Sequence, residues 1–330
     1  MYQKTILATA LLASLSGLAL AGPSNAAAGA QPSQGAALLY GAAAGAPPSQ
    51  VEDLTIQGVP PMLGVFLTRE MHSARPRDAK PTVNMTYHGG KILPTATTKA
   101  FWRGASWATF SGDKINGMDS WYTGFGASHY EATVSEYTGT NGAAGSSPTT
   151  HQGHYVDTNA ETSNGSTSVV LAEICSAISA SGTVIDPSGN GYYALYSDKP
   201  RGNAGYCAWH SAGTCGGQPI QFAFFWNLDG DAGCDPQDTS GLHSQGLSAI
   251  ANVSGHELAE AMSDPASPGA WYDSRGSENG DKCAWTFGGP LATFSNGSQW
   301  KVQGEWSNKA FTAGTGYPNS SGQKGCIGGL

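Results

Sequence analysis

The strongest constraint on the fold is a long helix that follows closely on a buried strand. Residues 219–226 are almost continuously apolar, which is typical of a strand with both faces covered. Residues 242–262 carry apolar side chains at helical spacing, and Asp264-Pro265 ends the pattern because proline cannot continue a helix. The chain is therefore expected to pack this helix against a sheet.

Shorter patterns indicate further elements of the same domain. Residues near the C-terminus, from Trp271 onward, are rich in glycine and aromatic side chains and are predicted to form loops and short strands. We predict an α+β fold: a single domain over residues 51–330, with a twisted mixed β-sheet packed on the helix and long loops held by disulfides. The other predicted elements are strands at 82–87, 99–110 and 192–196 and a helix at 166–180.

The N-terminus has the pattern of an export signal. Lys4 precedes an apolar run rich in Leu and Ala, and Ala19-Leu20-Ala21 is a small-residue cleavage motif. Residues 1–21 are therefore predicted to be a signal peptide, and 22–50, rich in Ala, Gly, Pro and Ser, a linker or leader. The mature protein is expected to be secreted, extracellular and not held in a membrane.

Charge and cysteine content fit this compartment. The net charge is −8, which argues against a nucleic-acid partner because such proteins need clustered Lys and Arg. Six cysteines lie in the second half of the chain, and an even number in an exported protein predicts three disulfides. The sequence alone leaves fifteen possible pairings open.

A metal-binding pattern lies on the predicted 242–262 helix. It reads His256-Glu257-Leu258-Ala259-Glu260, and residues four apart on a helix project about 40° apart around the axis. His256 and Glu260 can therefore bind one metal ion, as the two histidines of His-Glu-x-x-His do. Glu257 occupies the position of the general base in that motif. The alternative is an amphipathic helix whose solvated face carries these residues.

A third ligand has to come from elsewhere in the chain. Asp264 is one candidate, one turn further along the helix, and Glu278 and Asp281 are others. Histidine with carboxylates suits zinc, the metal that we expect, whereas additional carboxylates favour manganese or calcium.

A second, separate pattern has the spacing of a calcium loop. Oxygen-bearing side chains fall at positions 1, 3, 5, 9 and 12 of residues 227–238. An acidic surface turn is the alternative, because position 6 is Ala232 rather than glycine. The candidate calcium ligands are Asn227, Asp229, Asp231, Asp235 and Asp238.

An aromatic-rich stretch is a candidate sugar-binding platform. Trp102, Trp107, Trp121 and Tyr122 are close together in sequence, and aromatic faces can stack on sugar rings. The alternative is that these rings fill the core of the domain.

Five motifs in order resemble the EXORDIUM-like (phosphate-induced protein) family over about residues 80–330, in the form of a secreted bacterial-type member. That family is secreted and linked in plants to the cell wall and growth, and its activity is poorly defined. The motifs are Thr86-Tyr87-His88-Gly89-Gly90, Cys207-Ala208-Trp209-His210, the 256–265 segment, Trp271-Tyr272-Asp273 with Glu278 to Cys283, and Gln303 to Asn308.

The helix also resembles that of metzincin-type zinc peptidases. Those carry His-Glu-x-x-His-x-x-Gly-x-x-His or -Asp, whereas Glu260 replaces the second histidine here and no ligand stands at residues 266–268. The third-ligand prediction therefore rests on Glu278 or Asp281. His210 lies in one of the family-like motifs, and we expect it to line the site as a second catalytic residue beside Glu257.

The leading functional hypothesis is a secreted, monomeric zinc metallopeptidase that acts on an extracellular protein or cell-wall polymer. In this hypothesis the helix and sheet form a cleft with His256, Glu257 and Glu260 on its floor. The alternative is a non-catalytic, wall- or carbohydrate-associated binding protein with a structural metal site. A glycosidase is less favoured because Glu257 and Glu260 lie on one helix, whereas glycosidases place two acids on opposite sides of the sugar bond.

Overall fold

The computed structural model describes residues 59–75, 84–266 and 268–328. The predicted signal peptide (1–21) and leader (22–50) lie outside these ranges, so both stay predictions. Within the described residues the chain forms an α+β domain with a mixed sheet, as the sequence predicted.

The helices and strands are interspersed along the chain. The strands are β1 (Leu63–Leu67), β2 (Thr86–Tyr87), β3 (Thr97–Arg103), β4 (Thr138–Gly139), β5 (Gly142–Ala143), β6 (Thr150–Asp157), β7 (Gly191–Pro200), β8 (Tyr206–Cys215), β9 (Gln218–Asn227), β10 (Trp271–Tyr272), β11 (Ala292–Thr293), β12 (Gln299–Trp300), β13 (Glu305–Trp306), β14 (Tyr317–Pro318) and β15 (Lys324–Ile327). The helices are α1 (Arg69–Ala74), α2 (Lys114–Phe125), α3 (Thr167–Ser181), α4 (Gln245–Ser263), α5 (Asn279–Lys282) and α6 (Asn308–Thr312). Short 3₁₀ turns lie at Ala105–Thr109, Glu131–Val134 and Ala232–Cys234.

Six strands make the central sheet, in the order β1-β8-β9-β7-β3-β6. Strands β6, β3, β7 and β9 are parallel to one another, β8 is antiparallel to β9, and β1 is antiparallel to β8. Phe222, Phe224 and Phe225 on β9 are completely buried, because helices cover both faces of a parallel sheet. The apolar run at 219–226 is thus a central strand, as predicted.

The predicted long helix is α4. It begins at Gln245, three residues later than predicted, because the Ser244 hydroxyl accepts a hydrogen bond from the Leu247 amide (3.1 Å) and caps it. It ends at Ser263, directly before Asp264-Pro265. Every residue from Gly246 to Ser263 is buried, so α4 has no solvated face.

Three disulfides pair all six cysteines. Cys175 on α3 bonds Cys215 at the end of β8, Cys207 bonds Cys234, and Cys283 bonds Cys326. The first two fix the two ends of β8, and the third ties the segment after α5 to β15. Three disulfides fit an oxidising, extracellular compartment.

The predicted strand at 99–110 is wrong in its second half. Strand β3 ends at Arg103 because Gly104 adopts φ +133°, and a 3₁₀ turn follows it. Residues 82–83 of the predicted strand at 82–87 lie outside the described part, and within the described residues 84–87 the strand is Thr86–Tyr87. The predictions at 166–180 and 192–196 are confirmed as helix α3 and as part of β7.

The aromatic stretch is part of the core and presents no sugar-binding platform. Trp102, Trp107, Trp121 and Tyr122 are all at most 4% exposed. These rings therefore fill the core of the domain, which was the alternative to a sugar-binding platform. Among the described residues, none of the helices has the length and hydrophobicity that a transmembrane span needs.

Candidate metal centre

Three elements bring the predicted ligands together beneath strand β1. Helix α4 supplies His256 and Glu257 and, one turn later, Glu260. Strand β8 supplies His210, and the start of α5 supplies Glu278 and Asp281. The α5 turn is held in place because the Asp281 backbone amide donates to Glu260 Oε1 (2.8 Å) and Cys283 is disulfide-bonded.

His256 and Glu260 project to the same side of α4, as their spacing of four residues predicted. His256 Nε2 lies 3.2 Å from Glu260 Oε2, so the two side chains face the same point. On the other side of Glu260, His210 Nδ1 lies 3.8 Å from the same oxygen and 3.2 Å from Glu257 Oε2. His210 Nε2 lies 3.8 Å from Glu278 Oε2.

Within the described residues, two triads have ligand atoms that all lie within 4.8 Å of one another: His256–Glu260–Asp281 and His210–Glu260–Glu278. Of the two third-ligand candidates from the α5 segment, Asp281 therefore joins His256 and Glu260, whereas Glu278 joins Glu260 and His210. The carboxylate of Asp264 is in neither triad, and its Oδ1 accepts a hydrogen bond from the Ala270 backbone amide.

Several polar atoms in this cluster have no hydrogen-bond partner although they are buried. They include His256 Nε2, Glu257 Oε1, Glu260 Oε2 and Glu278 Oε2. Leaving a buried polar atom unpaired costs about 1–3 kcal/mol, and more for a charged group. A cation bound within either triad would satisfy the unpartnered atoms of that triad, so the residues present fit metal binding.

Burial determines the protonation of both histidines. It lowers the pKa of His210 to about 3 and that of His256 to about 4, so both rings are neutral at pH 7. A neutral imidazole is the form that binds metals. The neutral ring of His210 suits a ligand or a hydrogen-bonding partner of Glu257, and its catalytic role stays a prediction.

The pKa values of the carboxyl groups are raised, whereas those of the histidines are lowered. Burial raises the pKa of Glu260 and of Asp264 to about 8 each. Burial, with the charges of neighbouring acids, raises the pKa of Glu257 and of Glu278 well above the usual range. So many acids in one buried place are unfavourable unless positive charge joins them.

The expected open cleft is absent at these residues. His210, His256, Glu257 and Glu260 are each 0% exposed, although Asp281 is partly exposed. Strand β1 covers them: Gly64 has φ +47°, and a Cβ atom there would overlap Glu260 Oε2 and the His210 ring. No sequence pattern signals this contact, because β1 is far from α4 along the chain.

Two further residues belong to the centre and were not predicted. Gln303 Nε2 lies 3.0 Å from His256 Nδ1 and donates to the Gly280 carbonyl (2.9 Å). Glu305 is fully buried and accepts a hydrogen bond from the Tyr130 hydroxyl (2.8 Å). Both lie in the Gln303–Asn308 motif that carried part of the family resemblance, and that motif was the available signal.

Gln303→Leu is expected to weaken metal binding about 10- to 100-fold, because metal binding through His256 Nε2 places the ring proton on Nδ1 and the Gln303 amide, turned to present its oxygen, is the group that would accept it. Competition with a chromophoric zinc chelator measures the affinity. Gln299→Leu is the matched control, since Gln299 is an exposed glutamine on β12. Equal affinities for the two variants would show that Gln303 does not orient the ligand.

The predicted calcium loop does not converge on one point. Lys114 Nζ donates to Asn227 Oδ1 (3.0 Å) and Asp229 Oδ2 (2.6 Å), and Arg201 Nε donates to Asp231 Oδ2 (2.6 Å). The Asp235 and Asp238 carboxylates accept from nearby backbone amides. Among the described residues, no three of the four loop aspartates form a metal-ligand group. This geometry gives the calcium prediction no support.

Comparison of the chain with protein-family models, with curated proteins and with solved structures finds no match. The resemblance to the EXORDIUM-like family therefore stays a prediction that rests on the five motifs.

Proposed function

We propose that this protein is a secreted metal-dependent hydrolase of an extracellular polymer, most directly of peptide bonds. His256, Glu260 and Asp281 would hold the ion, which we expect to be zinc. The observation that carries the proposal is that His256 Nε2 and Glu260 Oε2 are buried without a hydrogen-bond partner and form one possible metal-ligand group with Asp281, beside Glu257 on α4.

Glu257 has the geometry of a general base. Its Oε2 lies 3.2 Å from His210 Nδ1, and its Oε1 has no hydrogen-bond partner. The free Oε1 can take a proton from water and deliver it to the leaving amine. A divalent cation bound here supplies a Lewis acid that acidifies water and polarises a carbonyl.

Burial favours a second candidate function, a structural metal site in a wall-associated binding protein. Structural sites are closed by protein ligands, whereas catalytic sites keep an open position. Strand β1 closes this site over Gly64, and four of the site side chains are fully buried. Hydrolysis therefore requires β1 to move away from Glu260, and a structural site requires that it stay.

The first test compares wild type with His256→Ala. Elemental analysis of the purified proteins gives the metal content, and release of fluorescent peptides from labelled casein gives the activity. We expect bound zinc and casein cleavage in wild type and the loss of both in the variant. Asp238→Asn, in the 227–238 loop, is the control and should retain both.

The other possible results distinguish the two functions or contradict both. Metal without cleavage of any protein or wall polymer supports the structural site. No metal in wild type, even after reconstitution with zinc or manganese, contradicts both functions.

A further inference from the structure

Glu260 belongs to both ligand triads, and it is the residue that they share. One triad adds His256 and Asp281, and the other adds His210 and Glu278. His256 Nε2 and His210 Nδ1 lie 3.2 Å and 3.8 Å from Glu260 Oε2. Each triad alone provides one histidine and two carboxylates, which is a sufficient set of protein ligands for one ion with an open position.

The second triad has the secondary contacts expected of a metal ligand. His210 Nε2 lies 3.4 Å from the Asp264 carbonyl oxygen, an acceptor that holds the proton on this nitrogen. His210 Nδ1 is then left as the basic nitrogen and faces Glu257 and Glu260. Glu278 Oε2 is buried without a partner, as Glu260 Oε2 is, so both triads contain an unsatisfied oxygen.

The number of acidic groups in the cluster also favours more than one cation. Six carboxyl groups lie together here, those of Glu257, Glu260, Asp264, Glu278, Asp281 and Glu305. Arg75 is near enough for its positive charge to act on Glu260 and Asp281. A single divalent cation would bring two positive charges and leave one triad without an ion, whereas two cations would bring four.

We propose that the centre binds two divalent transition-metal ions, such as zinc or manganese, with Glu260 bridging them. This inference rests on the metal centre of the proposed function. The first ion lies between His256, Glu260 and Asp281, and the second between His210, Glu260 and Glu278. In two-metal hydrolytic sites the ions are about 3.5–4 Å apart, and one bridging carboxylate spans that separation.

The wild-type protein alone allows a direct test. Zinc is added to the metal-free protein, the excess is removed, and the zinc content is measured by elemental analysis. We expect two zinc ions per chain and, in X-ray absorption spectra, a zinc–zinc distance of about 3.5–4 Å. One zinc per chain without a zinc–zinc signal would overturn the inference.

Single-ligand variants assign the two positions. Asp281→Asn and His210→Asn should each reduce the content from two ions to one, and Glu260→Gln should reduce it below one. Thermal melting checks that each variant is folded, and Asp238→Asn should keep two ions. If Asp281→Asn and His210→Asn both keep the wild-type content, the two-triad assignment is wrong.

The outcomes also separate this inference from the proposed function. One ion per chain together with casein cleavage would support the hydrolase proposal and contradict the second metal position. Two ions without cleavage would support the binuclear centre and contradict the hydrolase.

Discussion

Glu257→Gln is expected to lower the kcat of hydrolysis at least about 100-fold while the metal content stays at the wild-type level. Glutamine has nearly the size and shape of glutamate but cannot take the proton from water. Glu257 is in neither metal-ligand triad, so its replacement removes the base and leaves the ligands in place. The effect should fall on kcat rather than on KM, because the base acts in the transition state.

Parallel measurement of metal content and turnover makes this result specific. Glu260→Gln is the informative comparison, since it removes a shared ligand and should lose metal and activity together. Asp238→Asn should change neither. Full activity in Glu257→Gln would rule out Glu257 as the base, and the structural metal site would then be favoured.

Gly64→Ala is expected to lower the free energy of unfolding by about 3–5 kcal/mol and to reduce metal binding. Two costs add: an alanine at φ +47° is strained, and its Cβ would overlap Glu260 Oε2 and the His210 ring. Both of these side chains are fully buried and have little space to move. Chemical denaturation measures the stability, and elemental analysis measures the metal.

Gly216→Ala separates the two costs. Gly216 has a similar φ of +58°, but a Cβ atom at this residue would have no neighbour within 4 Å, so only the backbone strain of about 1–2 kcal/mol applies. The difference between the two variants is the cost of forcing β1 away from the metal ligands. If both variants lose the same stability and Gly64→Ala keeps its metal, then β1 does not pack against the centre in solution.

The sequence was sufficient for features that depend on local periodicity. The apolar run at 219–226 and the helix at 242–262 were recognisable because strand and helix periods repeat within a few residues. The same local rule placed His256 and Glu260 on one face, and the structure confirms that they lie 3.2 Å apart. The cap at Ser244 shifted the helix start by three residues, because boundaries depend on single hydrogen bonds.

The tertiary structure decided which distant residues meet α4. His210, Glu278, Gln303 and Gly64 come from four separate parts of the chain. The pairing of β1 with β8 brings Gly64 and His210 together, and contacts of α5 and Gln303 with α4 bring the other two to the same centre. The disulfide pairing, the burial of the aromatic stretch and the closure of the expected cleft by β1 were decided in the same way. Local spacing fixes the direction of a side chain on its own helix, whereas burial and charge depend on contacts between elements far apart in sequence.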